Sequence, residues 1–182
     1  MSKKTGVLIV NLGTPDSPST SDVKRYLSEF LNDPRVIDIN SIGRKVLVNG
    51  IIVPTRGPKS AKEYKKLFKI GNGASPLLTY GKNLLKLVRE IGHKQFDVEL
   101  AMRYGNPSMN SVLDKMRLVN YDQIIIFPLY PQYASATTGS IIEKAFKIIS
   151  KWWVIPEIKV IGQFYDDYRY LDCVKKVASS FN

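Results

Sequence analysis

The chain has one cysteine, Cys173, and one histidine, His93, in 182 residues. A single cysteine excludes an internal disulfide and any Cys-x-x-Cys zinc or cluster site. A single histidine leaves no second imidazole to complete a metal site, so metal catalysis by this chain alone has little support. No apolar run approaches the ~20 residues needed to span a bilayer. No signal-peptide hydrophobic region or cleavage site follows Met1-Ser2-Lys3-Lys4, and cytoplasmic residence is the simplest expectation. No G-x-G-x-x-G follows a strand pattern, which argues against dinucleotide binding. Repeats, low-complexity stretches and interdomain linkers are also absent.

Acidic residues are few. Sixteen Asp and Glu face 27 Lys and Arg, for a net charge of +11. Such a balance suits nucleic acid, anionic lipid or an acidic ligand. Residues 41–70 hold eight basic residues against one acid, Glu63, a local net charge of +7. The same segment carries Val46, Leu47, Val48, Ile51, Ile52 and Val53. Basic and apolar residues mixed in this way fit a membrane surface better than a phosphate backbone, and residues 41–56 are expected to form a mobile or apolar, partly exposed lip. No nucleic-acid motif accompanies the charge, so no nucleic-acid partner is expected.

The rest of the composition is that of a soluble globular protein, 44% hydrophobic and 24% charged. Its length suits one domain, or most of one half of a larger enzyme. Strand and helix patterns alternate. Strands are predicted over 6–12, 96–104, 123–129 and 158–164. Helices are predicted from Val23-Tyr26-Leu27-Phe30-Leu31, from a short segment with Ala61, Tyr64, Leu67 and Phe68 after a break at Pro54 and Gly57-Pro58, and from Leu77, Leu84, Leu85, Val88 and Ile91 after a Ser75-Pro76 cap. Three more carry Met109-Val112-Leu113-Met116, Ile141-Ile142-Ala145-Phe146-Ile149, and Leu171-Val174-Val177-Ala178-Phe181. Cys173 lies on the last stripe and is expected to be a buried thiol. The alternation predicts an α/β fold, a four-stranded parallel sheet with helices on both faces.

Ligands of open α/β sheets bind at the carboxyl ends of the strands, and three loops there draw attention. Asn11-Leu12-Gly13-Thr14-Pro15-Asp16 reads alone as a tight strand-to-helix turn. Arg103-Tyr104 ends the second strand, where the arginine either pairs an acidic ligand or fixes a neighbouring carboxylate. Pro128 to Ser140, P-L-Y-P-Q-Y-A-S-A-T-T-G-S, joins aromatic residues to a hydroxyl-rich turn. Tyr130 and Tyr133 either stack on a flat ring system or pack structurally. His93, beside Gly92 and Lys94, reads as a solvated helix-end residue. Of Trp152 and Trp153, one ring is expected in the core.

The order of these motifs resembles the ferrochelatases. N-L-G-T-P-D, R-Y-G, P-L-Y-P-Q-Y-x-x-x-T-T-G-S, P-T-R-G-P-K-S-A-K-E-Y and G-A-S-P-L together span essentially the whole chain, and they are most similar to the bacterial protoporphyrin type. The resemblance implies a Rossmann-like chelatase half-domain, with residues 1–182 as the N-terminal half plus the start of a linker to a C-terminal half. It implies insertion of ferrous iron, as substrate, into protoporphyrin IX to form haem. It places Arg56, Tyr64 and Ser75 near the porphyrin propionates, Arg103, Tyr104 and Tyr130 along the cleft, Leu12 against the macrocycle, and the segment around Ile51-Ile52-Val53 at a lip that touches anionic membrane. The family's histidine base and its glutamate partner fall beyond Asn182, so the chain alone is expected to be inactive, with no catalytic residue of its own. Some relatives bind a two-iron cluster through a cysteine in the P-Q-Y loop. Ser135 stands there in this chain, so no iron–sulfur cluster and no other bound cofactor is expected. The alternative is a non-catalytic porphyrin- or anion-binding domain.

Overall fold

The computed structural model describes residues 3–92 and 95–181. His93 lies outside the described residues. The sheet has four parallel strands in the order β2-β1-β3-β4, comprising β1 (Thr5–Thr14), β2 (Asp97–Gly105), β3 (Gln123–Pro128) and β4 (Glu157–Val160). From β1 the chain crosses to β2 on one side and then returns to β3 on the other. The switch point therefore lies between the carboxyl ends of β1 and β3.

Alternation along the strands sorts the core into two layers. Leu8, Val10, Ala101, Ile124 and Ile126 face α5 (Met109–Leu118) and α6 (Ser140–Ile149), whose Met109, Val112, Leu113, Met116, Ile141, Ala145 and Ile149 are all buried. Val7, Ile9, Val98, Leu100 and Met102 face the other way, with Leu78, Leu85 and Val88 of α4 (Pro76–Gly92) packed against them. Helices thus cover both faces, as the alternation predicts. The inward stripe of α4 differs from the expected one. Leu84 and Ile91 are exposed, and Leu78 packs inward at the position expected of Leu77. Gly81 sets this face, because a Cβ there would lie 3.0 Å from the Leu100 side chain. Phe146 of α6 is also exposed, one turn from the buried Ile149.

Strong caps begin the helices that the sequence marks with serine. Ser19 accepts from Asp22 N ahead of α1 (Thr20–Leu31), and Ser108 accepts from Ser111 N ahead of α5. The expected break at Pro54 and Gly57-Pro58 is not there. The chain stays helical from Ser41 to Ile70, through α2 (Ser41–Lys45), a π turn (Val46–Ile52) and α3 (Val53–Ile70). Val53 N donates to Val48 O, five residues back. This widened turn relieves the clash a proline ring makes with the carbonyl four residues earlier, and Pro54 enters the helix just after it. Packing then carries the helix past Pro58. Gly57 and Ala61 are buried, and a Cβ on Gly57 would come within 2.5 Å of the Lys24 stem of α1. Residues 41–56 are accordingly a helical lip, with Val48 and Val53 buried and Ile42, Val46 and Ile51 exposed.

Two further expectations change at the end of the chain. The fourth strand stops at Val160 instead of Phe164, its last pairing with β3 being that of Val160 with Ile126. Phe164 instead packs edge-on between Phe127 and Tyr170, at 5.3 and 5.4 Å. Helix α7 (Tyr168–Ser179) has no buried residue, and Cys173 is exposed. Its apolar stripe finds no cover among the described residues, so the thiol is not buried. Trp152 is buried and Trp153 is fully exposed, as the doublet predicts.

Candidate functional site

The carboxyl edge begins with a glycine. Gly13 has φ of 108°, and a Cβ there would lie 1.8 Å from the Tyr104 carbonyl oxygen. Only glycine lets the first loop pass so close to the end of β2. Leu12, the residue before it, is half-buried. On the other side of the switch point, Leu129 N donates to Val10 O at 2.8 Å, the last tie before the β1 and β3 loops part. Leu12 and Tyr130 therefore stand on the two sides of the switch point.

Tyr130 is half-buried, and its hydroxyl is buried without a hydrogen-bond partner among the described residues. Burial pushes this phenol up to about 12, with the Arg103 charge pulling partly back. A buried hydroxyl without a partner is uncommon in a folded protein. Tyr133, farther along the loop, is exposed, and its hydroxyl would lie 3.0 Å from a Cβ placed on Gly139.

Behind these loops lies a polar cluster centred on Asp33, in the loop after α1. Arg103 Nη2 and the Tyr104 hydroxyl (2.8 Å) donate to Asp33 Oδ2, as does Ser140 Oγ at 2.5 Å. Arg35 N donates to Oδ1 at 2.8 Å. Arg103 Nε donates to Ser140 Oγ at 2.7 Å, and the guanidinium lies 4.4 Å from the centre of the Tyr104 ring. Burial alone would raise the Asp33 carboxyl. The hydrogen bonds from Ser140, Arg35 and Tyr104 and the Arg103 charge hold it below the usual carboxylate range. Arg35 extends the network, pairing with Glu143 and reaching Ser135 Oγ at 3.2 Å. Lys144 lines the neighbouring cleft, and burial together with the Arg103 charge lowers its pKa.

An aromatic layer closes the cluster. Phe30 meets Tyr104 edge-on at 5.1 Å, and Tyr26 meets Tyr64 of α3 at 6.1 Å. Burial raises the pKa of Tyr26, Tyr64 and Tyr104 alike, so all three stay protonated near neutral pH.

The structure therefore gathers Leu12, Arg103, Tyr104 and Tyr130 at one edge, with Tyr64 joined to it through Tyr26. Tyr104 is wholly buried and offers no surface to a ligand. Of the two readings open for Arg103, the structure realises the fixing of a carboxylate. Arg56 and Ser75 make no hydrogen bond or ion pair to the cluster. Arg56 is exposed on α3, and Ser75 is buried just before α4, where its carbonyl accepts from Thr79 N at 3.0 Å. Sequence reasoning missed Asp33, Arg35 and Glu143, and it singled out the motif that ends at Ser140 without giving that residue a role. The signal for Asp33 is slight, an acid beside Pro34 just past the apolar stripe of α1. Among the described residues no group of three or more His, Cys, Asp or Glu is placed to hold a metal ion, and no helix is long and apolar enough to cross a membrane.

The ferrochelatase of Chromobacterium violaceum is 41% identical over 172 residues, which cover 92% of this chain and 47% of that protein. The ferrochelatase of Francisella tularensis subsp. tularensis (strain WY96-3418) is 41% identical over 174 residues, 95% of this chain and 52% of that protein, and that of subsp. novicida (strain U112) is 40% identical over the same length. The chain thus spans about half the length of the curated relatives it matches. The family model described as Ferrochelatase matches residues 4–180, and the chain belongs to the ferrochelatase family.

Proposed function

We propose that this chain supplies one wall of a porphyrin cleft in an enzyme that inserts ferrous iron into protoporphyrin IX. The observation that carries the reading is the placement of Leu12 and Tyr130 on the two sides of the switch point, with the Tyr130 hydroxyl buried and without a partner among the described residues. An apolar side chain and an aromatic ring suit the face of a flat macrocycle, and a lone hydroxyl suits a polar group near its rim. Arg56, exposed on α3, is our candidate cation for a propionate, with Tyr64 and Ser75 as further candidates.

The proton acceptor is not in this set. Metal insertion requires two pyrrole protons to leave, and a general base near neutral pH must take them. The Tyr130 phenol, at about 12, is protonated there, and the Arg103 guanidinium is paired. In our reading the base comes from the part of such a protein that the relatives have and this chain does not span. The chain alone then binds porphyrin weakly and does not insert metal at an enzymatic rate. We also propose that it holds no iron–sulfur cluster. Ser135 in the P-Q-Y loop offers only a hydroxyl, already engaged by Arg35, and the single thiol is on α7.

The lip reading takes a definite form. Along a continuous α-helix the residue on the same face as Val46 would be the one at position 50. The π turn advances that position by one, so that Ile42, Val46 and Ile51 share a face, flanked by exposed Lys45, Arg56 and Lys59. We propose that this stripe rests on anionic membrane. Serine at all three positions is expected to abolish co-sedimentation with anionic liposomes, and unchanged co-sedimentation refutes the contact.

The activity is tested anaerobically with ferrous iron or zinc and a dicarboxylic porphyrin, following the visible spectrum. Metalloporphyrin formed only when the remainder of a full-length relative is supplied supports the reading. Formation well above the uncatalysed rate by this chain alone, and unaffected by His93→Ala, shows that the chemistry is misplaced. Binding without metal insertion in both cases leaves the non-catalytic porphyrin-binding domain as the better description.

A further inference from the structure

We infer that Asp33 is a positioning residue for the ligand edge, holding Arg103 as an internal strut instead of leaving it to receive an anionic ligand. The functional part of this inference rests on the porphyrin reading above.

The geometry begins with the carboxylate. The Asp33 side chain is 3% exposed and lies in a loop, outside any helix or strand. Donors converge on it from β2 (Arg103 and Tyr104), from the first residue of α6 (Ser140) and from its own loop (Arg35 N). A carboxylate that accepts this many hydrogen bonds beside a guanidinium is held ionised, and its direction of pKa shift agrees.

The Nε–Nη2 edge of the arginine is then occupied. A guanidinium receives a carboxylate most strongly through two parallel N–H groups on one edge. In Arg103, Nε is bonded to Ser140 Oγ and Ser140 O (2.7 and 3.2 Å), and Nη2 is bonded to Asp33. Its plane lies over the Tyr104 ring. Both the edge and the charge are matched inside the protein.

The strut fixes the turn that carries Tyr130. Leu129 N is tied to Val10 O at one end of that turn, and Ser140 is tied to Asp33 and Arg103 at the other. Arg103 also acts on the Tyr130 phenol through its charge. Without the Asp33 charge, Arg103 becomes a buried cation with no counter-charge, which is strongly unfavourable. The α6 end of the turn is then released.

Two readouts test this. The first is the Arg103 Nε–H signal in nitrogen-edited NMR, expected to exchange slowly with solvent in the parent chain and to lose its protection in Asp33→Asn. The second is porphyrin titration, followed at the Soret band, with a dicarboxylic porphyrin and with its dimethyl ester. Asp33→Asn and Arg103→Met are each expected to weaken both porphyrins by roughly tenfold, equally for acid and ester, and the double variant is expected to be no weaker than the worse single one. A loss confined to the dicarboxylic porphyrin would make Arg103 a carboxylate receptor and overturn the inference, as would single losses that multiply or an Nε–H still protected in Asp33→Asn. If Asp33→Asn does not fold, Ser140→Ala keeps both charges and is expected to give a smaller loss, about fivefold, again equal for acid and ester. A parent chain that binds neither porphyrin refutes the porphyrin reading, and the strut itself then stands or falls on the Nε–H signal.

Discussion

Helix α5 buries Met109, Val112, Leu113 and Met116 against the sheet, whereas α7 leaves Leu171, Val174 and Val177 exposed by 51, 47 and 60%. The two helices carry the same kind of apolar stripe at helical spacing. Connectivity separates them. Helix α5 is the crossover between β2 and β3, two strands that flank β1, so the chain itself presses it onto the sheet. Helix α7 follows the edge strand β4 and is drawn back through the edge-on packing of Tyr170 on Phe164. An amphipathic stripe states that a helix has a face to cover. It does not state that the cover is present.

The adjacent tryptophans sharpen this contrast most. Trp152→Ala is expected to cost about 3–5 kcal/mol, because its buried ring fills the α5–α6 layer. Chemical denaturation reads this loss, and a cost below 1 kcal/mol would mean that the layer recloses without the ring. Leu113→Ala comes next, at about 2–5 kcal/mol by the same mechanism.

Two acid–arginine pairs extend the contrast to charge. The Asp33 and Arg103 side chains are 3 and 13% exposed, while those of Asp167 and Arg169 beside α7 are 30 and 73% exposed. Asp167 is pulled down to about 2 by its hydrogen bonds and charge pairing with Arg169, yet solvent and salt screen such a surface pair. Asp33 also has a folded pKa below its unfolded value, which is near 3.8. The stability it adds is complete above that value and drains away as the pH falls through the lower folded pKa. Asp33→Asn is therefore expected to lower stability at pH 7 and to flatten its dependence on pH below about 4. Asp167→Asn should leave the acid-unfolding curve close to that of the parent at 0.15 M salt. Equal effects from the two variants would erase the distinction.

The smallest effect is expected where the stripe is bare. Val174→Ser and Trp153→Ser should each change stability by no more than about 0.5 kcal/mol. A loss above 1 kcal/mol from Val174→Ser, read by the same denaturation, would show that the α7 face is covered in solution.

Much of the molecule is legible because local rules and tertiary demands agree. The apolar runs of β1 and β3 read as strands buried on both faces, and the Ser108 cap with the Met109-Val112-Leu113-Met116 stripe marks α5. The α3 region is the counterexample. Two prolines and a glycine read locally as a break, and the tight fit of Gly57 and Ala61 on α1 overrides them. In α4 the expected Leu85 and Val88 do pack inward, but Leu78 replaces Leu77 and Leu84 and Ile91 face out, because Gly81, which carries no hydrophobic signal, sets the inward face. At the ligand edge, Leu12, Arg103 and Tyr130 are legible as strand-end residues. Asp33 is not, since an acid after a helix is ordinary in sequence, and its burial depends on residues 70 and 107 positions away.

By itself the sequence determines the alternation of strands and helices, the two core layers, the loops that form the carboxyl edge and the family. These follow from periodicity and from turn chemistry, which act over a few residues, and from the order of motifs along the chain. Only the tertiary structure decides that Arg103 is matched internally, that Tyr104 is sealed beneath the edge, that the 41–70 segment is one continuous helical stretch, and that α7 has no cover among the described residues. Each of those outcomes is set by which distant groups come to share one desolvated volume, and burial of that kind has no local signature.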